Sequence, residues 1–191
     1  MKTIGLIGGM SWESTVTYYR LLNEGVKREL GGLHSAKIIL YSVDFAEIEE
    51  MQESGRWQEA GKLLAGAAAR LERAGAECLM ICTNTMHKVA EQVASSVQLP
   101  LLHIADATAE QIVRDGLKTV GLLGTRFTME ERFYRSILED DYGLQVLVPE
   151  ADERKIVNEV IFNELCLGNI VEESRTRYIR IAENLARRGA E

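Results

Sequence analysis

A run of small polar and potentially reactive residues closes an apolar stretch at positions 78–88, CLMICTNTMHK. Within six positions it offers a thiol at Cys82, hydroxyls at Thr83 and Thr85, an amide at Asn84 and an imidazole at His87. A thiol with a free pKa of about 8.5 reaches its thiolate near neutrality and can exchange a proton with a substrate. The amide and hydroxyls are suited to fixing a carboxylate. Each residue also has a plain structural use. Free cysteine commonly fills a small buried space, Thr83 and Thr85 can cap a helix, and His87 can stand solvated in a first helical turn.

Two other segments have the same character. In GGMSWES (8–14), Gly8 and Gly9 permit a tight turn, and Ser11 can cap the following helix, with Ser14 three residues on. The N-terminus of that helix can hold a carboxylate or a phosphate. The segment lacks G-x-G-x-x-G, so it is not a dinucleotide fingerprint. The third segment is SVDFAEIEEMQ (42–52).

The elements that would position these segments alternate. TIGLIGG (3–9), AKIILYSV (36–43), ECLMICT (77–83) and PLLHIA (100–105) are expected to be buried strands. Residues 12–30 and 56–75 carry helical spacing, and the second stretch ends in Gly75, a helix stop. Such alternation predicts βαβ units and a parallel sheet, with the strands' carboxyl ends, where ligands bind, along one edge. Cys82 and Thr83 then point to opposite faces of their strand. His34 is expected in a loop, His103 on a strand, and Cys166 packed on a helix over 153–168.

The chain also repeats itself. KTIGLIG from position 2 returns as KTVGLLG from 118, an offset of 116, and LERAGAE from 71 returns as LARRGAE from 185, an offset of 114. YYRLL (18–22) and FYRSI (133–137) follow the two copies of the first motif. Two matches in one order at nearly one offset predict two homologous α/β halves, 1–104 and 105–191. The equivalent of Cys82 or Thr83 would fall at about 196 or 197, past Glu191, so the chain is expected to be truncated.

Composition excludes several classes. With 46% apolar and 27% charged residues the chain reads as a soluble globular protein, and a net charge of −7 speaks against a nucleic-acid surface. No apolar run is long enough to span a bilayer. The start, MKTIGLIGG, reads as a strand rather than a signal peptide. Three cysteines without ligand spacing argue against a disulfide framework and a metal site, which points to the cytoplasm.

MKTIGLIGGMSWEST, CTNTMHK, LGTRFTM and PEADERKIVNEVIFNELCLGNI resemble the aspartate/glutamate racemases over essentially the whole chain. That resemblance implies two similar α/β domains related by pseudo-twofold symmetry, an active site in the cleft between them and a homodimer. It implies no cofactor, since two bases facing opposite sides of the substrate Cα remove and return a proton. Met10, Gln52, Thr83, Asn84, Thr85 and Thr125 are the implied substrate contacts, with Ser11 and His87 in support. Typical members have Cys directly before the Asn of N-T-x-H. Here that position is Thr83, and Cys82 precedes it. The first base is therefore Thr83, the favoured choice, or Cys82 brought in by a distorted strand. The second is expected to be a thiol beyond Glu191, and L-to-D turnover is expected to be kinetically favoured.

Aspartate-specific members often carry Lys at the position of Cys166 and Arg within the segment matching DFAEIEE. Both cations are absent here, which predicts tolerance of uncharged side chains, with Arg126 the nearest alternative cation. The rival classes are a decarboxylase or isomerase on the same scaffold, and a non-catalytic amino-acid-binding protein.

Overall fold

The computed structural model describes residues 1–191 as a mixed α/β chain of two compact units, Met1–His103 and Ile104–Glu191. In the first unit β1 (Ile4–Gly8), β2 (Ile38–Ser42) and β3 (Cys78–Ile81) form a parallel sheet in the order β2-β1-β3. The register pairs Gly8 with Ser42 and Ile7 with Ile81, so the carboxyl ends of all three strands lie along one edge. Helix α1 (Trp12–Leu30) joins β1 to β2, α2 (Phe45–Glu53) and α3 (Trp57–Arg73) join β2 to β3, and the short α4 (Ala90–Ala94) follows β3.

The sequence dictates this layering. β1 is the central strand, and its last four residues are buried, as expected where no strand face meets water. On α3, Ala60, Leu64, Ala67, Ala68 and Leu71 recur at helical spacing, forming one stripe that packs with Ile7, Leu79 and Ile81 in a single core. Leu64 is fully buried there, and truncating it to alanine would cost about 2–5 kcal/mol.

The second unit contains α5 (Ile104–Arg114), β4 (Thr119–Gly121), the short helices α6 (Arg126–Glu130) and α7 (Arg132–Ser136), β5 (Gln145–Leu147), α8 (Ala151–Asn163) and α9 (Glu172–Arg187). β4 and β5 are parallel, and Thr119 pairs with Gln145. Its buried side chains fall into two clusters, one around Ala105, Tyr134 and Leu138, the other around Met129, Val157 and Ile181.

The internal repeat has a physical counterpart. After α3, Gly75 takes a φ of 96°, and the Ala76 amide returns to the Leu71 carbonyl. After α9, Gly189 takes 106°, and Ala190 returns to Leu185. Each helix therefore ends on a residue that only glycine adopts without strain. The Glu77 amide then donates to the Thr3 carbonyl at 2.8 Å, and the Glu191 amide to Thr119 at 2.9 Å. The side chains close both clasps in reverse. Glu77 accepts from the Thr3 amide, and Glu191 accepts from the Lys118 and Thr119 amides. Those two amide donors hold the Glu191 carboxyl below its ordinary pKa range.

Three expectations need correction. PLLHIA is not a strand: Leu101 makes only an isolated bridge to Leu79, and α5 begins at Ile104, so His103 lies on an irregular link. Pro100 has no amide to extend a ladder in any case. The helix expected over 153–168 spans Ala151–Asn163. Cys166 lies in a separate tight turn, Leu165–Leu167, where Leu167 and Gly168 bond three residues back. β3 ends at Ile81, although the Cys82 amide still reaches the Ile7 carbonyl at 2.9 Å. No helix is long and apolar enough to cross a membrane.

Candidate active site

At the carboxyl edge of the first sheet, Gly9 follows β1 with a φ of 91°. A Cβ on Gly9 would lie 2.2 Å from the Val43 carbonyl oxygen, so this crossing of two backbones requires glycine. The Gly9 amide donates to the Thr15 hydroxyl at 2.9 Å, and that hydroxyl donates to the Ser11 carbonyl at 3.2 Å. Ser11 occupies the N-cap position of α1, but its hydroxyl does not cap the helix, contrary to expectation. Ser14 reaches across to the next strand and donates to the Cys82 carbonyl at 3.0 Å.

The tract after β3 is a turn followed by a tight helical segment, Thr85–Val89. Cys82 is fully buried, and burial pushes its thiol up to about 12, far from a usable thiolate at neutral pH. Thr83 is half-buried, and Asn84 is exposed with no capping bond from its side chain. Thr85 and His87 are buried. Nδ1 of His87 lies 2.8 Å from the Thr83 carbonyl, and its ring meets that of His103 edge-on at 4.4 Å between centroids. Burial and, secondarily, His103 push His87 down to about 4, against the opposing pull of its bonds to the 83–84 backbone. The solvated first-turn alternative for His87 is thus excluded.

Gln52, near the end of α2, is 3% exposed. Its Nε2 donates to the Met86 sulfur at 3.1 Å, while its Oε1 is buried without a partner. Such an acceptor is costly unless something donates to it. Met10 packs its side chain into the core of the first unit. Thr125 belongs to the second unit, where its hydroxyl caps α6 by accepting from the Thr128 amide at 3.4 Å. No group of three or more His, Cys, Asp or Glu side chains is placed to hold a metal.

Several contributors went unread in the sequence. Thr15 lies four residues after Ser11, the spacing at which a helical hydroxyl meets a preceding carbonyl, so its role had a signal. Met86 as the partner of Gln52 had none, because the pair lies 34 residues apart. Glu13 leaves its Oε2 buried and unpartnered in the first turn of α1, and nothing in the sequence marks it out.

A family model for Asp/Glu/hydantoin racemases matches residues 7–191. The chain belongs to that family. Among solved structures, a candidate Asp/Glu racemase from Yersinia pestis is 57% identical with a TM-score of 0.90, covering all of this chain and 83% of that one. An aspartate racemase homologue from Pyrococcus horikoshii OT3 is 40% identical with a TM-score of 0.73, over 88% of this chain and 74% of its own. The broad specificity amino-acid racemase RacX of Bacillus subtilis (strain 168) is 29% identical over 89 residues, which are 47% of this chain and 38% of RacX. The racemase match to RacX therefore spans well under half of that relative's length.

Proposed function

We propose that the chain works in cofactor-independent racemisation of small amino acids, with Thr83 as the base acting on one face of the substrate Cα. The observation that favours Thr83 over Cys82 is the difference in burial between neighbours. Cys82 is sealed, with its thiol held protonated, whereas Thr83 remains accessible at the open edge. A hydroxyl is a weak base, so its use depends on close placement against the Cα hydrogen and on a polarised surrounding.

In this reading, Asn84 and Thr85 fix the substrate carboxylate, and the orphan Oε1 of Gln52 accepts from the substrate's ammonium or side chain. Met10 is a further contact, with Ser11 and His87 supporting the edge. One base removes the proton from Cα, and the conjugate acid of another returns a proton from the opposite face, so L and D forms interconvert with no net change in atoms. The substrate class extends from Asp and Glu to neutral side chains such as homoserine. A homodimer in the cytoplasm is the assembly that fits this family reading.

The test is incubation of the full-length protein with L-aspartate, L-glutamate and L-homoserine in deuterated water. Loss of the Cα proton signal together with the D-enantiomer supports racemisation. Carbon dioxide would indicate decarboxylation, and binding without either product a non-catalytic receptor. Thr83→Ala is expected to abolish exchange while Cys82→Ser keeps most of it, and the reverse would assign the base to Cys82.

A further inference from the structure

Three successive carbonyls at the end of β3 are each held by a specific donor. Cys82 O takes the Ser14 hydroxyl, Thr83 O takes the His87 ring, and Asn84 O takes the His87 amide at 3.0 Å. His87 thus supplies two of the three bonds that fix the backbone on which Thr83 and Asn84 stand. A carbonyl oxygen can only accept, so the hydrogen in the 2.8 Å contact sits on Nδ1. In a neutral imidazole that choice leaves Nε2 as the unprotonated nitrogen. The ring is 3% exposed, and His103 packs against it edge-on.

On the assignment of Thr83 as a base, we propose that His87 is its positioning residue: a neutral imidazole whose Nδ1–H, donated to the Thr83 carbonyl, sets the turn that aims the Thr83 hydroxyl and the Asn84 amide, without exchanging a proton with substrate. The downward displacement of its pKa to about 4 keeps the ring in that neutral form across the neutral range. A misplacement of the order of 1 Å in a proton-transfer geometry can cost on the order of a hundredfold in rate. A ring that locks one peptide therefore affects turnover without touching the substrate. The same donor could come from an asparagine side chain, whose amide N–H stands about where Nδ1–H does on a histidine.

The experiment compares His87→Asn with His87→Leu in the Cα exchange assay, alongside 15N spectra of the imidazole in the unmutated protein. Three results are expected at pH 7. The spectra show a neutral ring protonated on Nδ1. His87→Asn keeps exchange within about threefold, and His87→Leu loses tenfold or more in kcat with KM changed less than threefold. Equal loss in both variants, full activity in His87→Leu, or a ring protonated on Nε2 would each overturn the proposal. A His87→Leu protein that fails to fold leaves the decision to the tautomer and to His87→Asn. Should the full-length protein exchange no substrate at all, the racemase reading fails, and positioning for that reaction fails with it. Exchange that survives Thr83→Ala instead sinks the Thr83 assignment alone.

Discussion

The loops that leave β1 and β4 follow two copies of one sequence motif, yet they use their hydroxyls in opposite ways. After β4, Thr125 caps its own helix, and the Arg126 amide donates to Asn158 at 2.8 Å, so the first turn of α6 is served by side chains of its own unit. After β1, no side chain caps α1. Thr15 braces the loop backbone, and Ser14 steadies the neighbouring strand end instead. Satisfying a helix start locally closes it to anions, whereas leaving it uncapped keeps its dipole and amides available. The first loop gives up a local stabilisation and gains a braced, open edge beside Thr83 and Asn84.

The comparison breaks most sharply at the glycines. A Cβ at Gly9 would run into the backbone of Val43, at 2.2 Å from its oxygen and 2.6 Å from its nitrogen. Gly124, which matches Gly8 in the repeat, is the last glycine before the second loop, and there the nearest obstacle is the Thr128 side chain at 3.0 Å. A side chain can yield and a crossing backbone cannot. Gly9→Ala is therefore expected to cost about 4 kcal/mol or more, in the range reserved for severe lesions. Gly124→Ala should cost about 1–2 kcal/mol, as ordinary overpacking does. Urea unfolding of both variants measures this, and similar losses would show that the first loop is no more constrained than the second.

The next effect depends on pH. All three histidines, His34, His87 and His103, lie in the first unit, and burial displaces the pKa of His87 strongly downward. Its ordinary value of about 6.5 applies to the unfolded chain, whereas the folded value is about 4. The folded state binds fewer protons between these limits. The stabilisation is thus complete above about pH 6.5 and is lost as pH falls toward 4, by up to about 3 kcal/mol. Amide exchange should show β1 weakening over this window by more than β4, and His87→Asn should remove most of the difference. Equal weakening of β1 and β4 in the unmutated protein would refute the assignment.

Much of this architecture is legible in the chain itself. The stretch 12–30 coincides with α1, Trp12–Leu30, because its polar flanks and apolar spacing agree with its tertiary role. Likewise Gly75 and Gly189 mark helix ends whose geometry leaves little choice. The burial of His87 is a different matter. Its segment is a five-residue turn, too short for periodicity to reveal a face, and its partner His103 is 16 positions away on an irregular link. The pattern also predicts a strand over 100–105, but pairing with β3 stops after the Leu102 amide reaches the Leu79 carbonyl at 2.9 Å, and α5 begins at Ile104. The polar types of the site could be read from sequence, but which of them are sealed and which face solvent was decided by packing.

The smallest prediction isolates the capping difference itself. Replacing an N-cap hydroxyl by a methyl typically costs about 1 kcal/mol, because one orphan amide loses its acceptor. Thr125 accepts from Thr128 at 3.4 Å, a long bond, so Thr125→Ala should cost about 0.5–1 kcal/mol, seen as a lower urea midpoint with an unchanged slope. Ser11 stands at the same position of its helix but gives its hydroxyl to no capping bond, so Ser11→Ala should stay within about 0.5 kcal/mol of the unmutated protein. Both variants remove a hydroxyl from the N-cap of the helix that follows a copy of the motif, so the presence or absence of a capping bond is the main difference between them. If the Ser11 variant loses as much as the Thr125 variant, α1 is capped in solution. The open helix start proposed for the first loop would then be wrong.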